Sequence, residues 1–161
     1  MQDRDAWLRA LKESSAALQG VLAAVLRAES LTSPQASPLE RLQQIAADPQ
    51  WVWLRPLYQL IADIDHVVAK HKDMPAAEAA VIGAQIKELL STSEAPAQAE
   101  FLRQYRVLLQ ADPGVAMAHA AALRAIQGVP AEPADESERL HARHQWNERR
   151  RLMRAGNQPR Q

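Results

Sequence analysis

The sequence lacks cysteine and contains little glycine. With no cysteine among its 161 residues, disulfide bonds, thiolate metal ligands and cysteine nucleophiles are excluded, and a reducing cytoplasmic location is expected. Only five residues are glycine, and neither a Gly-rich phosphate-binding motif nor a Gly-x-Ser-x-Gly nucleophile motif occurs. We therefore expect no catalytic residues and no cofactor, and the sequence favours a non-enzymatic protein.

Long apolar runs are also missing. No stretch approaches the roughly 18 consecutive apolar residues that a membrane-spanning helix needs. The chain begins with Asp3, Arg4 and Asp5 after two uncharged residues, whereas a secretory signal peptide has a basic patch followed by an apolar run. We therefore expect neither a membrane span nor a signal peptide.

The formal net charge of zero conceals an uneven distribution. Residues 1–138 contain twelve basic and eighteen acidic side chains, a formal charge of −6, whereas residues 139–161 contain seven arginines and Glu148, a formal charge of +6. Regions of opposite sign can attract each other, or the basic region can bind another anion. Arginine is far more common than lysine and alanine is abundant, which is typical of a GC-rich, bacterial genome.

Prolines and apolar spacing together predict a series of helices. Asp48-Pro49 and Asp112-Pro113 each combine an N-cap residue with a first helical residue. Apolar residues recur at helical spacing over about 5–27, 38–47, 49–72, 75–91, 96–110 and 113–127. Pro56 would interrupt the third of these, so we expect a kink, or a short turn ending near Arg55 and a new helix from there. No segment has the period-two pattern of a strand.

These features predict an all-α fold, an antiparallel helical bundle of five or six helices with a basic C-terminal helix or tail. We expect residues 1–129 to form the bundle domain, and residues 130–161 to form a linker plus an Arg-rich C-terminal helix or tail. In the last helical segment, Leu140, Trp146, Leu152 and Met153 do not share one face. That segment is therefore expected to be solvated, to pair with a partner, or to be only partly formed.

The core is expected to centre on the helix that follows Pro56. There Leu57, Leu60 and Ile64 repeat at helical spacing. Asp63 and Asp65 point about 160° apart on such a helix, which favours salt bridges or caps over general acid–base catalysis by a facing carboxylate pair.

One segment resembles a known group of proteins. Residues 48–57, Asp-Pro-Gln-Trp-Val-Trp-Leu-Arg-Pro-Leu, resemble a segment of bacterial all-helical proteins that have no assigned function. Including Leu60, Ile61, Ile64 and Asp65, the resemblance covers fewer than 20 residues. It implies a bacterial all-α protein, and it carries over no activity, cofactor or partner.

Four side chains near the C-terminus have a spacing that suits metal ligands on a helix. Glu138, His141, His144 and Glu148 would lie within an arc of about 120°. A carboxylate-bridged di-iron bundle needs two Glu-x-x-His motifs and two further glutamates, and Glu138-x-x-His141 is the only copy here. Acid–base pairs on a solvated helix explain the same residues. We expect no metal, and a helical-bundle metalloprotein remains an alternative.

Two features are candidates for binding a partner. Trp51 and Tyr58 are seven residues apart and form either the margin of a buried helix or an exposed interface anchor. Arg149, Arg150 and Arg151 can bind phosphates, or they can dock on the acidic body or on a protein partner.

The leading interpretation is a protein–protein interaction or regulatory helical module. A nucleic-acid-associated protein that uses the Arg-rich tail is the alternative. The sequence indicates no particular partner and no particular oligomeric state.

Overall fold

The computed structural model describes residues 2–29, 40, 43, 49–91 and 99–156. Its helices are α1 (Gln2–Ala28), α2 (Arg55–Lys70), α3 (Ala76–Leu90), α4 (Ala99–Ala111), α5 (Pro113–Ala125) and α6 (Glu136–Gly156). The described residues contain no strand, and the predicted all-α helical bundle is confirmed. None of the helices in these ranges has an apolar stretch long enough to cross a bilayer. The helix predicted over residues 38–47 falls almost entirely outside the described residues.

The chain changes helix type where proline predicts a break. A 3-10 helix spans Pro49–Leu54, and α2 begins at Arg55 with Pro56 in its first turn. Pro56 is tolerated there because a first-turn N–H has no partner within the helix. The prediction of a short turn ending near Arg55 is therefore confirmed. At the start of α5, the Asp112 side chain accepts a hydrogen bond from the Val115 amide at 3.1 Å, as an N-cap does.

The core forms around α1, which packs against α2 and α5 and also contacts α3 and α4. The apolar stripe predicted for this helix is buried, and its members are Trp7, Leu11, Leu18, Val21 and Val25. The predicted core centre in α2 is also confirmed, since Leu57, Leu60 and Ile64 are buried. An aromatic row extends the core, in which the Phe101 ring lies 6.0 Å from Trp53 and 5.2 Å from Tyr105 between centroids.

A glycine in α3 places the segment that leads to α6. A second 3-10 helix, Ile126–Gly128, follows α5, and Val129 comes directly after it. A Cβ atom at Gly83 would lie 2.8 Å from Val129 Cγ1, which is closer than packed atoms approach. Because Gly83 has no side chain, the chain can pass against α3 at this point and continue towards α6.

The last helix, α6, packs against α3 and also contacts α2. Its buried residues are Ala142, Trp146 and Met153, which are four and seven residues apart and so share one face. The expectation that this segment lacks a coherent apolar face is therefore wrong. Leu140 and Leu152 are exposed and do not belong to the buried face, whereas the small Ala142 does.

The predicted division of the chain after residue 129 stays a prediction. Contacts on both sides of that point nevertheless connect the C-terminal segment with the helices before it. Val129 packs on Gly83, and Trp146, which is fully buried, hydrogen-bonds to Gln85.

Candidate functional site

Two carboxylates of the helices before the linker lie under α6. The side chains of Asp63 in α2 and Glu78 in α3 are only 8% and 5% exposed. Gln85 lies seven residues after Glu78, and the two therefore share a face of α3. We call the surface formed by Asp63, Glu78 and Gln85 the docking face.

Arg149 of α6 binds Glu78 with two hydrogen bonds. Its Nε donates to Glu78 Oε2 at 2.8 Å and its Nη2 donates to Oε1 at 3.3 Å, the forked geometry that suits a guanidinium and a carboxylate. The bond to Glu78 raises the pKa of Arg149 above its ordinary value, so this side chain keeps its charge. The third nitrogen, Nη1, lies 3.1 Å from Nδ1 of His71, at the C-terminal end of α2.

Asp63 receives two arginines. Arg150 Nε donates to Asp63 Oδ2 at 2.9 Å, and Arg154 Nη2 donates to the same oxygen at 3.2 Å. The guanidinium carbon of Arg150 also lies 5.9 Å from the centre of a Trp146 ring, within cation–π range. One buried carboxylate therefore holds two cations from successive turns of α6.

Trp146 anchors the apolar part of the contact. Its ring is fully buried, and its Nε1 donates to Gln85 Oε1 at 2.8 Å. Since Trp146 meets Gln85 and the later Arg149 meets the earlier Glu78, α6 runs antiparallel to α3. The indole nitrogen thus finds the acceptor that a buried tryptophan needs.

The linker before α6 fixes where the helix begins. Arg143 donates from Nε and Nη2 to the two carboxylate oxygens of Glu132, at 2.8 and 2.7 Å. This hydrogen bonding lowers the pKa of Glu132 below its ordinary value. The Asp135 carboxylate accepts from the Glu138 amide at 3.1 Å and so caps the first turn of α6. Both contacts orient α6 as it approaches the docking face.

A cleft of about 450 Å³ remains beside the last turns of α6. His66, His71 and Arg149 line one part of it, and Leu152 and Met153 line another. The two imidazole rings are stacked with centroids 5.4 Å apart, and Leu152 is 67% exposed. Burial first, and then the charges of Arg149 and His66, lower the pKa of His71 below its ordinary value.

A second groove, of about 750 Å³, lies between α1 and α2. Lys12, Ser15, Asp65 and Lys72 are among its lining residues. The buried Ser15 hydroxyl donates to the Asp65 carboxylate, which also receives Gln19 Nε2 at 3.4 Å. Asp63 pairs with arginines of α6, as the prediction of salt bridges or caps expects. Asp65 instead joins α2 to α1 through hydrogen bonds from the neutral Ser15 and Gln19, which are neither salt bridges nor a cap.

The residues predicted to bind a partner have different surroundings. Arg149 and Arg150 contact the docking face, whereas Arg151 is exposed and pairs with Glu148 at 2.7 Å on the same helix. Trp51 and Tyr58 are half-buried and pack against the core, as the margin of a buried helix would.

The metal-ligand candidates lie on the outside of α6. Glu138, His141 and His144 are exposed, and Glu148 is half-buried beside Arg151. In the part of the chain that the structure describes, no three His, Asp or Glu side chains come together as a metal site would require.

Sequence reasoning missed the docking face itself. A signal was present, because Asp63 lies between Leu60 and Val67 in the apolar stripe of α2, where a carboxylate needs a partner. Glu78 and Gln85 at a spacing of seven gave a second signal on α3. Neither signal identified the arginines that bind there, since Arg150 follows Asp63 by 87 positions.

The chain matches no protein-family model, and comparisons with curated proteins and with solved structures find no similar protein.

Proposed function

We propose that this chain is a non-enzymatic, cytoplasmic protein-interaction module in which α6 regulates access to the docking face. One observation carries the proposal, namely that α6 covers Asp63 and Glu78 and pairs their carboxylates with its own arginines. A surface that accepts one basic helix through charge and an aromatic anchor has the properties of a helix-binding surface. Release of α6 would expose it to a partner.

The composition of the contact supports release of α6 without unfolding of the core. α6 buries Ala142, Trp146 and Met153, whereas α1 buries apolar residues along its length. The ion pairs add specificity more than net stability, because the desolvation of the charged groups offsets much of the free energy gained from their attraction. Helices with fewer buried apolar contacts open at lower free energy than the core does.

The nucleic-acid alternative would use the same arginines differently. Arg149 contacts Glu78, and Arg150 and Arg154 share Asp63, so all three arginines already have a carboxylate partner within the molecule. Phosphate binding by these side chains would first require α6 to leave the docking face. Salt-dependent binding of DNA or RNA by the full chain would favour this alternative.

The metalloprotein alternative draws no support from the positions of its candidate ligands. His141 and His144 are exposed, and Glu148 pairs with Arg151. A stoichiometric metal that is lost from a variant with His141→Ala and His144→Ala would favour it.

Hydrogen exchange of the full chain tests whether α6 opens alone. Amide exchange is followed by mass spectrometry in the wild type and in the variant Arg149→Gln/Arg150→Gln. We expect α6 to exchange before α1 in the wild type. In the variant, α6 should exchange faster still, and its acceleration should exceed that of α1. The matched control is Arg151→Gln, which removes an exposed arginine from the same helix and should leave the exchange of α6 unchanged.

Two results would contradict the proposed regulation. One is exchange of α6 only together with α1, which would make α6 part of a single cooperative core. The other comes from affinity capture with extracts of the native host. It would be that the variant Arg149→Gln/Arg150→Gln captures the same proteins, in the same amounts, as the wild type. Partner capture should instead increase in the variant and fall again when Asp63→Asn and Glu78→Gln are added.

A further inference from the structure

We infer that the docking face binds a basic amphipathic helix of another protein, one that carries a tryptophan-like anchor and adjacent arginines and that displaces α6. The inference rests on the proposed function and adds to it the chemistry of the partner.

Charge on the docking face determines one part of that chemistry. Asp63 and Glu78 are nearly buried beneath α6, and a helix that takes the place of α6 would bury them again, so each carboxylate needs a cation from that helix. Arginine suits both sites, because Glu78 receives two parallel N–H donors and the guanidinium at Asp63 also lies over an aromatic ring. An acidic or neutral helix would leave both carboxylates unpaired.

The spacing of the α6 contacts gives the second part. An aromatic residue occupies the position of Trp146, and arginines follow at three, four and eight residues. These positions lie on one side of a helix, so a partner that satisfies Gln85, Glu78 and Asp63 together must be helical and antiparallel to α3.

The cleft at the end of α6 gives the third part. About 450 Å³ is left open beside Met153 and Gly156, and the neighbouring Leu152 is 67% exposed. α6 therefore does not fill the surface on which it lies. A helix that places one more aliphatic side chain in this cleft would gain roughly tenfold or more in affinity from its burial.

Effective concentration distinguishes a foreign helix from the α6 of a second copy. A helix joined by a short linker competes at an effective concentration in the millimolar range. An identical helix on a second chain, present at micromolar concentration, is therefore at a disadvantage of about a thousandfold. A successful competitor needs a better fit than α6, and the open cleft provides room for one.

Labelled peptides test the inference on the full-length chain. The first probe is a fluorescein-labelled peptide with the sequence of residues 136–156. The second carries Gly156→Leu, which adds an aliphatic side chain at a residue that lines the cleft. A control peptide carries Arg149→Glu, Arg150→Glu and Arg154→Glu. Binding is measured by fluorescence anisotropy to the wild type and to the protein variant Arg149→Gln/Arg150→Gln, whose own α6 is held less tightly.

The first peptide should bind the variant at least tenfold more tightly than the wild type. The Gly156→Leu peptide should bind about tenfold more tightly than the first, and the control peptide should not bind. Adding Asp63→Asn and Glu78→Gln to the protein variant should abolish the binding of the first peptide and of the Gly156→Leu peptide. If the double-arginine variant does not fold, Arg150→Gln takes its place, because it retains Arg149 on Glu78 and Arg154 on Asp63.

Hydrogen exchange on the same variant separates the two proposals. Persistent protection of α6 would reject both the regulation and the inference. A released α6 with no peptide binding, or with equal binding after Asp63→Asn and Glu78→Gln, would reject the inference alone. Concentration-dependent dimerisation of the wild type, measured by sedimentation and lost in the double-arginine variant, would assign the face to a second copy and overturn the foreign partner.

Discussion

Arg149 and His71 meet in a contact that requires a neutral imidazole. The Arg149 Nη1 atom lies 3.1 Å from His71 Nδ1. A guanidinium has donors only, so Nδ1 must accept the hydrogen bond and cannot carry a proton. Protonation of His71 would replace this hydrogen bond with repulsion between two cations, next to the bond that holds α6 on Glu78.

This contact predicts that acid loosens α6. Burial, Arg149 and His66 lower the pKa of His71 from its ordinary 6.5, while Asp73 and Glu78 act in the opposite direction. The unfolded chain binds a proton at higher pH than the native chain does, so the stability contributed by neutral His71 is present above pH 6.5 and is lost as the pH falls through the lowered pKa. As the pH falls from about 7.5 to about 5, we expect the exchange rate of α6 amides to rise, after correction for the intrinsic exchange rate.

Two histidine variants separate this effect from the rest of the protein. His71→Gln should remove most of the pH dependence of α6 exchange. His119→Gln is the control, since burial also lowers the pKa of His119 but its Nδ1 pairs with Tyr105 Oη at 2.7 Å, between α4 and α5. An unchanged pH profile of α6 in His71→Gln would show that another group controls its release.

Loss of the arginines on Asp63 should destabilise the protein. In Arg150→Gln/Arg154→Gln, the nearly buried Asp63 carboxylate loses both cations that contact it. We expect urea unfolding to show a loss of about 1–3 kcal/mol. Adding Asp63→Asn should recover part of this loss, because the neutral amide costs less to bury. Arg151→Gln, on the exposed side of α6, should change stability by no more than about 0.5 kcal/mol. If Arg151→Gln cost as much as Arg150→Gln/Arg154→Gln, the loss would come from the net charge of α6 and not from the pairing with Asp63.

Substitution of Gly83 should show how closely Val129 approaches α3. Alanine favours a helix over glycine by up to about 1 kcal/mol, but at Gly83 its Cβ would meet Val129 Cγ1 at 2.8 Å. We expect a net loss of about 1–2 kcal/mol for Gly83→Ala in thermal unfolding. When Val129→Ala is already present, the same substitution should become neutral or stabilising.

Gly20 provides a matched control in α1. A Cβ at this position has no neighbour within 4 Å, so Gly20→Ala should stabilise the protein by about 0.5–1 kcal/mol. Similar effects at Gly83 and Gly20 would contradict the close approach of Val129.

Ile64 tests the centre of the core. The side chain is fully buried in α2, and Ile64→Ala should cost about 2–5 kcal/mol through lost apolar contacts and the cavity that remains. Leu152→Ala removes an aliphatic side chain that is 67% exposed and should cost no more than about 0.5 kcal/mol. Equal costs in denaturant unfolding would show that Ile64 does not lie in a packed core.

The helices were predictable because their apolar stripes are local patterns. The stripe from Trp7 to Val25 and the break before Pro56 both follow from residues within a few turns of one another. The face of α6 was not predictable in this way. It combines the small Ala142 with Trp146 and Met153, and its other half consists of arginines whose partners lie far away in the sequence.

Asp63 shows where sequence reasoning ended. Its place in the apolar stripe indicates a carboxylate that needs a partner, and the sequence predicts a salt bridge or a cap. Which arginine pairs with Asp63 depends on the path of the chain past Gly83, and no local sequence pattern gives that path. Composition suggested mutual attraction between the acidic and basic regions, but it could not indicate which charges would be buried.

The central position of α1 has a consequence for synthesis on the ribosome. α1 is translated before the other described helices, yet it packs against α2 and α5, and α5 is translated much later. Part of its apolar stripe therefore lacks its native partner until α5 has been made, a state that favours aggregation or chaperone binding. Asp63 likewise has no Arg150 to pair with until the chain has been extended by 87 more residues. α6 is thus translated after the face that it covers, and the nascent chain displays the acidic docking face until α6 has been made.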